Sequence, residues 1–411
     1  MKIVLITSGQ PCLNPRIVKE ADALVEAGYE VTLIYQYWND WATALDIPLL
    51  ASKKWGVIRV GGSPKKHRFL YLATRFFNKT ANVISRKFGF EYNIGELAIG
   101  RTTLLLSEEA RQIKASLYIA HNLAALPAAV YAAKKNGSKC GFDAEDLHRF
   151  EMSNSEVSRD FKLKKFIEEK YYPRTDYRTT SSIQIANQYK ELFPKLTFAV
   201  ILNVFARNLT TNQRILNNSG AIKLIWFSQN IGLSRGLQDV LAALKILEKH
   251  EIEFHVLGYL SKEINIELEQ LIKTLNFSQP PKIFFYPPIA PDALYNFASQ
   301  FDIGLATEPA FSKNNDSALS NKIFTYIQSG LSLIVSDTTA QKQLLEEYPD
   351  MGMIYKKSNP DSLAKVLQTY IDDRALLLKH QQRASQYAEK ILNWEVEKQK
   401  FLSIVKKTLD A

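Results

Sequence analysis

Cysteine is nearly absent from this 411-residue chain: Cys12 and Cys140 are the only two. Two thiols make neither a disulfide framework nor a zinc site. No apolar run approaches the roughly 18–20 residues that a membrane-crossing helix needs. The first residues, from Met1 to Thr7, read as a short strand and not as a secretory signal, so a cytoplasmic location is expected. Internal repeats and low-complexity tracts are missing, which excludes solenoids and disordered linker proteins. No Asp-x-Asp motif occurs, and no metal is expected.

What is present is an ordinary globular composition, 46% apolar and 23% charged. That length and balance suit two domains with full cores. The net charge is +10, unevenly placed. Between Lys53 and Arg101 there are eleven Lys or Arg against two acids, Glu91 and Glu96, with Phe69, Tyr71, Phe76, Phe77, Phe88 and Phe90 interleaved. Three readings are open: a docking surface for anionic lipid, a helical pair with a solvated basic face, or a nucleic-acid patch. No nucleic-acid motif accompanies the patch, so nucleic acid is not expected as a partner. The leading expectation is an anionic membrane surface on the inner face of the plasma membrane.

Apolar runs and helical spacings alternate along the chain. In the first half, strands are expected at residues 2–7, 30–35, 56–60, 117–120 and 140–143, and helices at 15–27, 123–135 and 161–171. A basic helical insertion occupies about 65–114. In the second half, strands are expected at 222–227, 254–257, 282–285, 303–306 and 333–336, with helices between them. Residues 205–220, rich in Asn and Thr, read as a linker. The expected domains are 1–204 and 221–390, with a last helix over 391–411 packing back on the first domain. Regular β–α alternation implies two doubly wound parallel-sheet domains, with ligands at the carboxyl ends of the strands.

The motifs fall at those strand ends. Gly9 lies in a loop after the first strand, and Arg16 opens the helix that follows. His121 ends one strand, and Asp143 and Glu145 end another. In the second half, Gly232, Arg235 and Gly236 lie between the strand at 222–227 and a helical pattern of Leu237, Val240, Leu241 and Leu244. Glycines admit an anion close to the backbone, a helix N-terminus offers free N–H groups, and Arg235 adds forked donors. Glu308 follows the strand at 303–306. A helix carrying Asn321, Lys322 and Thr325 ends at Gly330.

This ordered set resembles the retaining, nucleotide-sugar-dependent glycosyltransferases of family 4, which have the GT-B fold. The resemblance implies a hexosyltransferase-type enzyme. It would move sugar from a nucleoside-diphosphate sugar to a glycan or lipid-linked acceptor in cell-surface polysaccharide or glycoconjugate synthesis, without a cofactor. It places Arg235 as the second member of the diphosphate-binding basic pair and Gln229 where the first is usually Arg. Gly9 matches the glycine loop, His121 the histidine beside the transferred sugar, and Glu308 the first of two glutamates. Thr325, five residues before Gly330, stands where the ribose-holding glutamate would be. His121, Glu308 and Arg235 are the implied catalytic set. Gly9, Gln229, Gly232, Asn321, Lys322 and Thr325 join the donor site, and Arg16, Asp143 and Glu145 lie on the acceptor side.

A plainer reading stands beside each. His121 could be a core histidine, Asp143 and Glu145 helix caps, Lys322 a surface cation, Glu308 a solvated acid and Gly9 a turn. Two other functions stay open. A nucleotide-sugar 2-epimerase would need several carboxylates around the sugar, and none are evident. A catalytically weak scaffold in a glycan assembly complex would fit the changes at Gln229 and Thr325.

Overall fold

The computed structural model describes residues 1–207 and 220–411. Most of the expected linker at 205–220 lies outside them. Two compact units divide the chain: Met1–Leu202 with Lys398–Ala411, and Asn203–Glu397.

The first unit is built on seven parallel strands: β1 (Lys2–Thr7), β2 (Glu30–Gln36), β3 (Gly56–Val60), β4 (Leu117–His121), β5 (Lys139–Ala144), β6 (Tyr177–Thr180) and β7 (Ala199–Val200). Their order is β3-β2-β1-β4-β5-β6-β7. The central strands β1, β4 and β5 are almost wholly buried, which is why they read as apolar runs without alternation. The helix Pro15–Glu26 begins where Asn14 accepts from the Ile17 N–H and Pro15 supplies a pre-set φ. It buries Ile17, Ala21 and Leu24 and stops before Gly28, whose φ is 87°. The insertion between β3 and β4 comprises the helices Arg68–Phe88, Ile94–Ile99 and Thr103–Gln112. A helix at Asp40–Ala51, absent from the sequence reading, follows β2. Its apolar residues are mostly exposed and Pro48 interrupts its pattern, so no buried stripe announced it.

The second unit has six parallel strands: β8 (Ile222–Asn230), β9 (Ile252–Tyr259), β10 (Lys282–Tyr286), β11 (Ile303–Ala306), β12 (Ser332–Ser336) and β13 (Gly352–Tyr355), in the order β10-β9-β8-β11-β12-β13. Strand β13 was not foreseen. It is a short edge strand and only Tyr355 is fully buried. The helix Leu237–Ile246 places Leu237, Val240, Leu241 and Leu244 in one core with Leu224, Trp226 and Phe254.

Both sheets are doubly wound. In each, the connections leave in opposite directions at one point: between β1 and β4, and between β8 and β11. The strand ends at such a crossover spread apart and leave room for a ligand. Among the described residues no helix is long and apolar enough to cross a membrane.

Candidate functional site

In the first unit the strand register builds a polar row. Thr7 pairs with His121, His121 with Asp143, and Asp143 with Thr179. The helix Pro15–Glu26 covers this row and lowers Arg16 onto it. Arg16 Nε lies 2.5 Å and Nη2 2.9 Å from the two oxygens of Asp143, and Nη1 donates to the Ile201 carbonyl at 2.6 Å. Thr179 Oγ1 also donates to Asp143, at 2.6 Å. One turn beyond Arg16, Glu20 Oε2 sits 3.1 Å from His121 Nε2. On the other side of the ring, His121 Nδ1 is 3.3 Å from Asp143 and 3.5 Å from Glu145. Asn14 Nδ2 holds Glu145 at 2.7 Å.

This cluster is closed to solvent. Arg16, Glu20, His121 and Asp143 are all buried, and only Glu145 is half-exposed. Burial opposes the charge on His121, but the Glu20 carboxylate, helped by Asp143 and Glu145, reverses this and holds the ring protonated well above its usual range. Burial also pushes the Glu20 carboxyl up. Both shifts mean that the pair keeps a proton to higher pH. Asp143 goes the other way: burial is outweighed by Arg16 and then His121, and it stays ionised below the usual carboxylate range. Lys19, half-buried next to Arg16, is pushed down to about 7, by burial first and Arg16 second.

Possible ligand atoms of Glu20, His121 and Asp143 lie within 4.8 Å of one another, a spacing that could hold a metal ion. Arg16 already grips both oxygens of Asp143, so a metal there would have to share that carboxylate with the guanidinium and displace the proton of His121. Three carboxylates gather here, since Glu20, Asp143 and Glu145 surround His121. Their partners come from four separate segments, which no local spacing reveals. Glu20 alone had a signal, four residues after Arg16 on one helix face.

In the second unit the crossover brings β8 and β11 together. After β8, Gly232 leads a single tight turn that ends at Arg235, and Gly236 begins the helix Leu237–Ile246. Gly236 has φ 83°, and a Cβ there would lie 2.1 Å from the Thr307 carbonyl oxygen, so the fold itself demands glycine. Thr307 Oγ1 donates to the Arg235 carbonyl at 2.8 Å and fixes the turn. The Arg235 side chain is exposed, and no side chain caps the helix. Gly232 differs: its backbone is extended and a Cβ would meet nothing closer than 4.0 Å. Gly9 in the first unit likewise has room, with Thr7 Oγ1 at 3.6 Å. Packing explains neither glycine.

Glu308 follows β11 and is buried. Lys322, from the first turn of the helix Asn321–Gln328, donates to Glu308 Oε1 at 2.7 Å and to Ser320 Oγ at 3.3 Å, with its ammonium 5.3 Å from the centre of the Trp226 ring. Burial opposes the Glu308 charge, but Lys322, Ser320 and Arg235 hold its carboxyl below the usual range. Ser336 Oγ fixes the Glu308 carbonyl at 2.6 Å. Lys322 is therefore turned onto an acid and is not a free surface cation. Gln229 and Asn321 are exposed. Thr325 is buried, and its hydroxyl donates to the Asn321 carbonyl at 3.5 Å.

No protein-family model matches the chain, and no curated protein matches it. Solved structures do. HepE from Anabaena, in complex with UDP, superposes with a TM-score of 0.71 at 13% identity, over 99% of this chain and 100% of that one. Sucrose-phosphate synthase from Thermosynechococcus elongatus gives 0.69 at 12%, over 99% and 98%. A variant of S. aureus TarM in complex with Fondaparinux, alpha-GlcNAc-glycerol and UDP gives 0.68 at 10%, over the whole of both chains. The chain has the GT-B fold of these glycosyltransferases.

Proposed function

We propose that the chain is a glycosyltransferase. It takes a sugar from a nucleoside-diphosphate sugar and passes it, with retention, to a glycan or lipid-linked acceptor in cell-surface polysaccharide or glycoconjugate synthesis. It works without a metal or other cofactor, in the cytoplasm, with an anionic membrane surface as a further partner of residues 53–101. The observation that carries the reading is the exposed Arg235 placed directly before an uncapped helix N-terminus, at the crossover where Glu308 is kept ionised. That HepE was crystallised with UDP and with UDP-glucose supports a nucleotide sugar as donor.

Glycosyl transfer breaks the anomeric C–O bond. Negative charge grows on the leaving diphosphate and positive character on the sugar. Arg235 and the N–H groups after Gly236 are fixed donors for the growing anion, the role that a metal fills elsewhere. Gly232 leaves room for the diphosphate, with Gln229 and Asn321 as neutral donors. Glu308, held as an oriented carboxylate, accepts from a sugar hydroxyl. In the first unit Gly9 leaves room for the substrate. Arg16, Asp143 and His121 act from below the surface, and Glu145 is the carboxylate left half-open toward an acceptor. The 2-epimerase reading fares worse: Asp143 is locked to Arg16 and Glu20 is buried, so neither is free to take a proton from a sugar carbon.

The test is incubation with a panel of nucleotide sugars, with and without excess chelator, following nucleoside diphosphate release. Release from one donor, unchanged by chelator, is expected. No release from any donor despite tight nucleotide binding would leave the scaffold reading standing. Activity lost in chelator and restored by magnesium or manganese would overturn the metal-free mechanism.

A further inference from the structure

The helix Arg68–Phe88 is inside out. The face it turns to the protein carries Tyr71, Thr74, Asn78, Ala81, Asn82 and Ser85, all buried or half-buried and all polar except Ala81. Asn78 Nδ2 donates to the carbonyls of Leu97 and Ala98, at 2.6 and 3.1 Å, and Asn82 Nδ2 donates to the Ala98 carbonyl at 3.2 Å. Arg101 donates to Thr74 Oγ1 at 3.0 Å, and Arg159 to Ser85 Oγ at 2.6 Å. These bonds fix the rotation of the helix about its axis. The opposite face is apolar and faces water. Phe69, Leu72, Phe76 and Val83 recur at helical spacing and are 90, 49, 66 and 64% exposed. Arg68, Arg75, Lys79 and Arg86 follow the same spacing along one flank, and no Asp or Glu occurs from residue 47 to residue 90.

A globular protein normally turns the apolar stripe of a surface helix inward. Here polar anchoring holds it outward, beside a row of uncompensated positive charge. We infer that this helix lies in the plane of an anionic lipid surface, with its apolar stripe in the boundary between headgroups and acyl chains and its cationic flank against the headgroups. The inference deepens the membrane-surface reading above and rests on it. A second copy of the chain fits less well, because a two-fold contact places each patch on itself and sets cations against cations. Nucleic acid would meet the charge and leave the apolar stripe in water. Trp38 and Trp41, both exposed, come from the segment whose Tyr37 ring packs edge-on against Tyr71, and add interfacial aromatics at the start of the helix.

The test uses the full chain and vesicles of phosphatidylcholine, alone or mixed with phosphatidylserine. A variant with Phe69→Ser, Leu72→Ser, Phe76→Ser and Val83→Ser keeps every charge and should lose partition onto mixed vesicles by about tenfold or more. These side chains are exposed, so its thermal midpoint should match the wild type. A second variant, Arg75→Glu, Lys79→Glu and Arg86→Glu, should lose about a hundredfold. In Phe76→Trp, brominated lipid should quench more fluorescence than it does in the wild type, where only the native tryptophans report. If the serine variant binds like wild type while the glutamate variant does not, the protein only adsorbs by charge and the inserted helix is wrong. If the wild type ignores mixed vesicles, the membrane-surface reading itself fails. A dimer that the serine variant dissolves, or nucleic-acid binding tighter than lipid binding, would also overturn the inference.

Discussion

Lys322 Nζ donates to Glu308 Oε1 across 2.7 Å, with both side chains withdrawn from solvent. A buried pair of this kind is costly to break from one side, because the survivor keeps its charge without a partner. Lys322→Met should lower unfolding stability by about 3 kcal/mol in urea titration. Glu308→Gln keeps one oxygen for Lys322 and should fold. It should reduce turnover far more than it weakens nucleoside diphosphate affinity, since the proposed partner of Glu308 is the sugar. Loss of bare nucleotide binding in Glu308→Gln would move Glu308 to the ribose.

Arg235 is exposed and, apart from a minor share in keeping Glu308 ionised, makes its contribution when an anion is bound. Arg235→Ala should weaken nucleoside diphosphate binding by about 1.5–3 kcal/mol in calorimetry, the range for a hydrogen bond to a charged group. Thermal stability should not change. Unaltered affinity would remove Arg235 from the donor site.

Gly232 and Gly236 separate ligand approach from fold. Gly236→Ala forces a Cβ onto the Thr307 carbonyl in a left-handed conformation and should destabilise the protein by more than about 1 kcal/mol. Gly232→Ala fits the free protein and should stay within about 0.5 kcal/mol of wild type. It should nevertheless weaken nucleotide binding. Equal binding by Gly232→Ala and wild type would show that no ligand passes there.

His121 carries a pH signature. Its folded pKa lies above the unfolded value, so its pairing with Glu20 and Asp143 contributes fully below the unfolded value of 6.5 and fades as pH rises through the folded one. The stability gap between wild type and His121→Gln should therefore be wide in mild acid and narrow at alkaline pH. Asp143 acts at the other end. Its folded pKa is depressed, and its contribution is lost only as pH falls through that depressed value. A gap that widens with rising pH would mean that His121 is buried neutral.

Two parallel sheets were legible in the amino-acid pattern, because strands buried on both faces must be continuous apolar runs and the helices between them must show a stripe. The turn at Gly232–Gly236, whose residues are contiguous, was legible too. Short or exposed elements escaped: β13 and the helix Asp40–Ala51 bury too little to leave a pattern. Local composition marked residues 53–101 as basic and aromatic but could not say which face looks outward. The bonds of Asn78 and Asn82 to the helix Ile94–Ile99, with those of Thr74 to Arg101 and Ser85 to Arg159, settle that. The polar row of the first unit was decided by tertiary structure alone. Arg16, Glu20, His121, Asp143 and Glu145 meet because β4 and β5 lie in register beneath one helix, and charge can be buried only where such registers bring every partner within reach. For the same reason the sequence placed Lys322 in the donor site without its partner, Glu308, fourteen residues away.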